Sequence, residues 1–377
     1  MRPLALLAVV ALTVTACSGE DQAGPGRLVV SDLAGSIRVL DPDGTIVESV
    51  VEATGGEAHV QPTWSPDGAT VAWVSSTPTS ASLRLTTGDE TRSIPLAGNA
   101  FYLSWSPDAD RLLVLGGAPG GVSASVVEVD EGSAVSLGTD QPWYAAWSPD
   151  GDALIVRSGP ARLAVVDADG GGATSLGVGA PFQAPDWTAD GRRAFAEVAG
   201  STSRITADGL PPVDVVAGRL ALDLGTDLAY QAVVDAEGVQ VAYRQAGVPG
   251  RTNALVVVDD AGDQTTVWPT PVLGFAWSPD GSSLLFLTPE EGRVAWRTWD
   301  GDSVIDLLEA VPTPLFVRDY LPFFDQYARS QTFWSPASDA VAIPAVVDGR
   351  PGIWVVEPGG EPVRVADGEM VSWGRSP

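Results

Sequence analysis

One motif recurs along this chain and constrains its fold more than any other feature. A tryptophan is followed by Ser-Pro-Asp-Gly, or a close variant, and then by alternating apolar residues, as in TWSPDGATVAWV from Thr63 and AWSPDGSSLLFL from Ala276. These tryptophans lie at positions 64, 105, 147, 187, 277, 334 and 373, in steps of 41, 42, 40, 90, 57 and 39 residues. A repeat of about 40 residues is typical of β-propellers, in which each blade has four strands.

The chemistry of one repeat fits such a blade. A short apolar strand ends at the tryptophan, whose ring is large enough to fill the space between adjacent blades. Ser-Pro-Asp-Gly then favours a tight turn, because Pro fixes φ, Asp accepts hydrogen bonds from nearby amides and Gly tolerates positive φ. Further strands follow, with a second Asp- and Gly-rich turn between the outer two, as in LAVVDADGGGATSL.

The pattern predicts an all-β chain that folds as a closed β-propeller. The step of 90 residues should contain a degenerate copy, and we assign it to AVVDAEGVQVAYR, with Val234 in the position of the tryptophan. That gives eight blades, with seven as the alternative. Residues 26–50 supply three strands without a tryptophan strand, and Met370–Trp373 supplies a tryptophan strand with nothing after it. We therefore expect the two terminal segments to pair and close the ring, which also removes open sheet edges.

The repeats resemble those of WD-type propellers in the TolB-like family of exported bacterial proteins. The resemblance extends over nearly all of the predicted domain, residues 27–377. It implies the fold but no particular activity, because such propellers serve as scaffolds, binding modules and enzymes.

The N-terminal segment predicts export and attachment to a membrane. Residues 1–16 contain Arg2 and then an apolar run that is too short for a permanent transmembrane helix. The run ends in VTAC, which resembles the bacterial lipoprotein signal, and this resemblance implies lipid attachment to Cys17, the only cysteine. Residues 17–26 are polar and Gly-rich, and we expect them to form a flexible tether.

Composition and motifs exclude several functions. A formal charge of −27 argues against nucleic acid as a partner, since phosphate binding depends on clustered basic residues. All 21 basic residues are arginine, which excludes a P-loop or Schiff-base lysine. No recognised catalytic motif is present, and His59 is the only histidine, so no catalytic residue, metal site or cofactor is predicted.

One segment does not fit the repeat. The step from Trp277 to Trp334 is about fifteen residues too long, and we assign the excess to an insertion at about 308–331 between two blades. Connections of this kind lie at a mouth of the central channel and often carry binding. Two interpretations remain open, a short helix that closes the channel and a binding loop. The candidate binding residues are Phe316, Arg318, Asp319, Tyr320, Phe323, Phe324, Asp325 and Tyr327.

Together these features predict a lipoprotein on the outer face of the cell membrane. We expect a binding or scaffold module for an envelope protein, a transport-system partner or a small ligand. The alternative is an extracytoplasmic enzyme, a carboxylate-based hydrolase or lyase that acts on a polysaccharide. A cluster of two or three carboxylates with an arginine in the channel would favour the enzyme.

Overall fold

The computed structural model describes residues 25–181, 184–216, 220–235 and 251–376. Over these ranges the regular secondary structure is almost entirely β-strand, and the helical turns lie within residues 314–327. No helix in the described part is long and apolar enough to cross a membrane. The predicted signal segment 1–16, Cys17 and most of the tether 17–26 lie outside the described residues.

The strands form consecutive antiparallel sheets around a ring. The first four-stranded sheet has the order β3-β2-β1-β31, and five more contain β4–β7, β8–β11, β12–β15, β16–β19 and β20–β23. In chain order the strands are β1 (Arg27–Ser31), β2 (Ile37–Leu40), β3 (Ile46–Val51), β4 (Ala58–Trp64), β5 (Val71–Ser76), β6 (Ala81–Thr87), β7 (Glu90–Leu96), β8 (Ala100–Trp105), β9 (Arg111–Ala118), β10 (Gly121–Glu128), β11 (Ala134–Asp140), β12 (Trp143–Trp147), β13 (Ala153–Ser158), β14 (Arg162–Asp167), β15 (Ala173–Val178), β16 (Asp186–Trp187), β17 (Arg193–Ala199), β18 (Thr202–Ala207), β19 (Val213–Val216), β20 (Ala221–Leu224), β21 (Leu228–Asp235), β22 (Arg251–Val258), β23 (Gln264–Trp268), β24 (Gly274–Trp277), β25 (Leu284–Glu290), β26 (Arg293–Trp299), β27 (Val304–Pro312), β28 (Val341–Val347), β29 (Arg350–Val356), β30 (Val363–Ala366) and β31 (Met370–Gly374). The predicted propeller of four-stranded blades is confirmed as the fold.

The remaining sheet has seven strands, in the order β24 to β30. Its two halves, β24–β27 and β28–β30, meet through only two residue pairs, Val311 with Val346 and Pro312 with Ala345. Counted as two blades they give a total of eight, and counted as one they give seven. The strand order is therefore compatible with both predicted blade numbers, eight and seven. The blade number stays a prediction.

The ring closes through the two ends of the described chain. Strand β1 pairs with β31 over five residue pairs, from Arg27 with Gly374 to Ser31 with Met370. The indole Nε1 of Trp373 also donates to the carbonyl oxygen of Pro25 at 3.0 Å. Pairing of the terminal strands, which the unmatched repeats at 26–50 and 370–373 predicted, is confirmed.

The assignment of the degenerate repeat to Val234 is wrong. Val234 lies in β21, the second strand of its sheet, whereas the first strand is β20 and ends at Leu224. Leu224 thus replaces the tryptophan, and no aromatic residue marks the position. The next residue is Gly225, and the ring of Trp277 packs on its backbone. A Cβ at position 225 would lie only 2.6 Å from Cγ of Trp277, so this contact favours glycine.

The Ser-Pro-Asp-Gly turns have the hydrogen bonds that their residues favour. In the turn after β4, the Ser65 hydroxyl donates to Oδ1 of Asp67 at 2.5 Å, and the amide of Thr70 donates back to Ser65 Oγ at 2.9 Å. Gly68 has φ of 73°. In the altered copies Ala109 and Ser338 have φ of 64° and 63°, a region that favours glycine, so these turns keep their geometry at a local cost.

The repeated tryptophans connect neighbouring sheets. The indole Nε1 of Trp105 donates to the carbonyl oxygen of Thr63 at 3.4 Å, and Trp147 donates to Ser104 at 3.1 Å. Trp334 makes the same bond to Ala276 at 3.2 Å. Each acceptor directly precedes the tryptophan of the previous sheet. The predicted packing of these rings between blades is confirmed, although the buried indole Nε1 atoms of Trp64, Trp187 and Trp277 have no hydrogen-bond partner among the described residues.

The two faces of the ring differ in composition. Strand direction alternates, so the turns after the first and third strands of each sheet share one face, which we name the turn face. The opposite face, the plug face, carries the turns after the second strands and the connections between sheets. All fifteen turns of the turn face contain an acidic residue, namely Asp67, Asp108, Asp150, Asp190, Asp227, Asp280, Asp339, Asp43, Asp89, Asp130, Asp169, Asp208, Asp260, Asp302 and Glu361.

Exposed apolar side chains are concentrated on the plug face. Of the twelve large apolar residues that are exposed in the described part, eight lie on this face: Leu33, Phe101, Val178, Val198, Leu273, Val311, Val317 and Phe323. The other four are at the start of outermost strands: Ile46, Val47, Val304 and Val363. One face of the molecule is thus acidic, and the other is apolar in part.

Candidate functional site

The long connection before Trp334 folds into a compact segment that covers the channel. We name residues 313–333 the channel plug. Strand β27 continues to Pro312, so the insertion begins after 312 and not at 308. The plug contains a π-helical turn (Phe316–Tyr320), a 3-10 turn (Leu321–Phe323) and the short helix α1 (Phe324–Tyr327). None of these turns has a side-chain cap, so tertiary contacts hold the segment.

Five aromatic rings of the plug pack inward. Phe316, Tyr320, Phe324, Tyr327 and Phe333 are each at most 4% exposed. Phe316 stacks on Tyr320 with centroids 5.5 Å apart, and Phe333 meets the ring of Tyr320 at 5.0 Å. Their spacing of four, four and three residues from Phe316 to Tyr327 is that of one helical face, a signal in the sequence that indicates burial.

Polar side chains of the plug bind the innermost strands. Gln326 is buried, and its Nε2 donates to the Tyr102 hydroxyl at 2.7 Å and to the Ala145 carbonyl at 2.8 Å. Its Oε1 accepts from the Ala145 amide at 2.9 Å, and the Tyr327 hydroxyl donates to the Phe101 carbonyl. Since backbone groups of β8 and β12 are satisfied by the plug, the segment forms part of the fold.

The plug contacts the other sheets as well. Gln331 Nε2 donates to the Pro62 carbonyl at 3.0 Å, and Arg329 donates to the carbonyl oxygens of Ala184 and Leu222 at 3.3 and 3.4 Å. The ring of Phe324 packs directly on Gly274, because a Cβ on Gly274 would lie only 2.4 Å from Cγ of Phe324. Together with Glu369, which accepts from Leu315, these contacts reach every sheet of the ring.

The eight candidate binding residues divide into two groups. Phe316, Tyr320, Phe324 and Tyr327 are buried, as the interpretation of a channel-closing helix expects. The others reach the surface to different degrees: Phe323 is 50% exposed, the side chains of Arg318 and Asp319 are 65% and 34% exposed, and Asp325 is partly buried. Binding by these residues stays a prediction, and it now concerns mainly the exposed group.

A cavity of about 560 Å³ lies beside the plug on the plug face. Its walls come from the plug and from β4, β8 and β12. The residues that line it include Phe101, Trp143, Tyr144, Phe323, Gln61 and Arg318. Its volume and its mixture of aromatic walls with a few polar groups are those of small-ligand sites. The repeat gives no signal for Phe101 or Tyr144, because they become neighbours of the plug only when the ring closes.

Two polar features stand at the edge of this cavity. Arg318 and Asp319 form an exposed ion pair with Nε and Oδ1 2.6 Å apart, and both residues also line the adjoining cavity of about 230 Å³. Gln61 lies in both walls and has φ of 59°, an uncommon backbone conformation for a residue other than glycine. Its Oε1 accepts from Gln331 at 3.1 Å, so the plug holds Gln61 in this position.

A second cavity, of about 490 Å³, opens on the turn face. Five carboxylates and two arginines line it, and Asp186, Asp223, Asp325 and Arg329 are among them. Asp186 Oδ1 lies 3.6 Å from Arg329 Nη1. Asp186 and Asp223 each directly precede the tryptophan position of their repeat, and their carboxylates accept from the backbone amides of Leu224 (2.9 Å) and Trp277 (2.7 Å) in the next sheet.

The surroundings of Asp223 change the pKa of its carboxyl group. Desolvation raises the pKa of Asp223 from 3.8 to about 7, and the neighbouring carboxylate of Asp186 contributes to the rise. Arg329 opposes it. Near neutral pH Asp223 can therefore hold a proton, which permits proton donation by this carboxyl group.

Three other features considered in the sequence are His59, the residues that could bind a metal ion, and Cys17. His59 is buried, with Nδ1 3.0 Å from the carbonyl oxygen of Gly35 and its ring edge-on to Trp73, which agrees with a structural role. Among the described residues, no group of three His, Cys, Asp or Glu side chains is arranged to hold a metal ion. Lipid attachment to Cys17 lies outside the described residues and stays a prediction.

Comparison with known proteins supports the fold. No family model matches the chain, and no curated protein matches it in sequence. Among solved structures it is similar to a eukaryotic initiation factor (12% identity, 92% of this chain and 98% of that chain, TM-score 0.54). It is also similar to the propeller domain of the Trilobed protease from Pyrococcus furiosus (13% identity, 83% and 98%, TM-score 0.51).

TolB from Acinetobacter baumannii is also among the similar structures, at 18% identity and a TM-score of 0.43. The match covers 74% of this chain and 61% of the TolB chain. At these identities the likeness concerns the fold alone. The chain is therefore a β-propeller in its architecture, as the repeat predicted.

Proposed function

We propose that the protein is a binding module, held at the outer face of the cell membrane through lipid on Cys17, that receives a partner or small ligand on its plug face. The observation that carries the proposal is the aromatic cavity beside the plug. Phe323 and Phe101 are 50% and 39% exposed there, although most aromatic side chains of the plug are buried. Exposed aromatic residues at the edge of a cavity are typical of binding surfaces.

The fixed plug supports this role. Because its buried face is held by hydrogen bonds to several sheets, Phe323 projects from a rigid support. A preorganised surface loses little conformational freedom when it binds, which favours affinity. The ion pair of Arg318 and Asp319 gives the edge of the cavity a polar group of each sign for orienting a ligand.

Binding is tested with two surface variants and a matched control. Phe101→Ser and Phe323→Ser remove exposed rings from the cavity, whereas Val198→Ser changes an equally exposed apolar residue of the plug face that does not line it. Tethered protein is used to capture envelope components, which are identified by mass spectrometry. We expect a component that is retained by the wild type and by Val198→Ser and lost with both cavity variants. Equal capture by all four proteins would contradict the proposal.

The membrane attachment has its own test. Cys17→Ser removes the thiol that accepts the lipid, so the variant should accumulate as unprocessed precursor without label from a radioactive fatty acid. Because stable anchoring needs more than one acyl chain, the wild type should resist extraction by high salt but not by detergent. Labelling of Cys17→Ser at the wild-type level would refute lipid attachment.

The acidic cavity on the turn face favours a second candidate function. The cavity combines Asp186, Asp223 and Asp325 with Arg329, which matches the arrangement that would indicate a polysaccharide hydrolase or lyase, with Asp223 as the proton donor and Asp186 as the second carboxylate. The test is release of new sugar ends from purified envelope polysaccharides. Asp223→Asn and Asp186→Asn should each abolish the release, and Phe323→Ser should leave it intact. No release by the wild-type protein would eliminate this candidate.

A further inference from the structure

The start of the described chain is fixed at a definite place on the ring. The carbonyl oxygen of Pro25 accepts from the indole of Trp373, in the innermost strand of the first sheet. Gly26 packs against the Gly374 carbonyl and the ring of Pro336, which belongs to a turn of the turn face. The described chain therefore begins on the turn face, close to the channel.

The distance from this point to the proposed lipid is limited by chain length. Eight residue steps separate Cys17 from Pro25. At about 3.5 Å for each extended residue they span at most about 28 Å.

That length does not allow the plug face to reach the membrane. To reach the plug face from Pro25, the tether would have to cross three strand spacings, about 14 Å, and then follow the outer strand for about 20 Å. The shortest path around the sheet is therefore about 34 Å. The shorter path through the channel is closed by the plug, whose side chains bind strands on all sides.

We propose that the lipid-anchored protein stands on the membrane with its turn face toward the lipid and its plug face directed away from it. This inference rests on the lipid attachment of the proposed function. It follows that the aromatic cavity beside Phe323 is open to partners or ligands that approach from the envelope side, and that the acidic cavity lies close to the lipid surface.

The charge of the turn face adds a second feature to this orientation. Each of its fifteen turns carries an acidic residue, and the chain has a formal charge of −27. Anionic headgroups repel such a surface within a Debye length of about 10 Å at 0.1 M salt. The turn face should therefore stand off from anionic lipid at low salt and approach it at high salt, within the reach of the tether.

Energy transfer to the bilayer tests the orientation. Ala34→Cys, in an exposed turn of the plug face, and Ala189→Cys, in an exposed turn of the turn face, form a matched pair of small substitutions. Lipidated protein is purified from membranes, labelled with a donor dye at the introduced thiol and reconstituted in phosphatidylcholine vesicles that contain an acceptor lipid. Because Cys17 carries the lipid, only the introduced thiol reacts.

We expect clearly higher transfer from position 189 than from position 34. Lengthening the tether by thirty Gly and Ser residues after Ser18 should make the two values similar, because the chain can then reach around the body. In vesicles rich in phosphatidylglycerol, transfer from position 189 should fall at 10 mM salt and recover at 500 mM.

Equal transfer with the natural tether, or higher transfer from position 34, would overturn the orientation. Failure of the proposed anchoring has a different signature, since the protein would then carry no lipid by mass and would not float with vesicles, and the orientation would fall with it. Insensitivity of position 189 to salt in anionic vesicles would refute the electrostatic part.

Discussion

Two neighbouring residues of the plug, Phe323 and Phe324, lie in opposite environments. Phe323 is 50% exposed at the cavity, and Phe324 is 2% exposed against Gly274. The two side chains are identical, but the exposed ring of Phe323 is available for binding and the buried ring of Phe324 contributes to stability. The amino-acid types alone do not distinguish these two roles.

Truncation of these two rings should have unequal effects on stability. Phe324→Ala leaves a cavity in the core and should lower the free energy of unfolding by about 3–5 kcal/mol. Phe323→Ala removes an exposed ring and should stay within about 0.5 kcal/mol. Chemical unfolding of both variants measures the difference. Similar losses for the two would mean that the plug is not seated as described.

The partly buried carboxyl group of Asp223 predicts a pH dependence of stability. The pKa of Asp223 is about 7 in the folded protein and near 3.8 in the unfolded chain. Between about pH 4 and pH 7 the folded protein therefore keeps a proton on this group, whereas the unfolded chain does not. Its contribution is present in full below about pH 4 and is lost as the pH rises to about 7. Asp223→Asn removes this loss and should melt at a higher temperature than the wild type at pH 8.

Thermal unfolding between pH 4 and pH 8 makes the measurement, with Asp190→Asn as the control. A hydrogen bond from Thr188 lowers the pKa of the exposed Asp190, so its contribution has the opposite sign and is lost as the pH falls. If Asp223→Asn has the same pH profile as the wild type, the carboxyl group does not titrate in this range.

At the scale of elements, prediction from sequence succeeded where a local rule determines the structure. The turn at Ser65–Gly68 and the packing of Trp147 follow from residue types within one repeat, and both were predictable. The position of Leu224 was not, because the repeat there has lost its tryptophan and nearby apolar residues fit the pattern equally well. A strand register is decided by pairing with neighbours, which one segment does not contain.

The candidate site was less predictable than the fold. The aromatic run located the plug, and its four-residue spacing is that of a buried helical face. The cavity walls at Phe101 and Tyr144 come from other sheets, and Asp186 and Asp223 become neighbours only through ring geometry. Such long-range contacts depend on the closed structure, so local pattern does not reveal them.

The closing strand gives a prediction at this scale. Deletion of Glu369–Pro377 removes β31 and the carbonyl that accepts from Thr313, leaving one edge of β1 unpaired and the plug without one of its supports. We expect one cooperative transition at a much lower melting temperature, together with aggregation. Deletion of residues 375–377 alone, which spares β31, is the control. A truncated ring that melts like the control would show that the terminal pairing contributes little.

The whole molecule combines an acidic turn face with a partly apolar plug face, and this asymmetry affects its response to salt. With 48 acidic and 21 basic residues, repulsion between like charges opposes the compact state near neutral pH. The melting temperature should therefore rise between 10 and 300 mM NaCl as screening increases. Differential scanning fluorimetry at pH 7.5 tests this, and a melting temperature that falls with salt would show that ion pairs outweigh repulsion.

The pairing of β1 with β31 also has a kinetic consequence. Its partners are more than 330 residues apart, so the first sheet completes only after the rest of the chain is available. Contacts this distant in sequence close slowly, because the entropy of the intervening chain must be lost first. Until the last strand is in place, β1 therefore presents an open edge to its surroundings. The rate of acquiring protease resistance should be limited by arrival of the last strand, and a circularly permuted chain that joins β31 directly to β1 should fold faster.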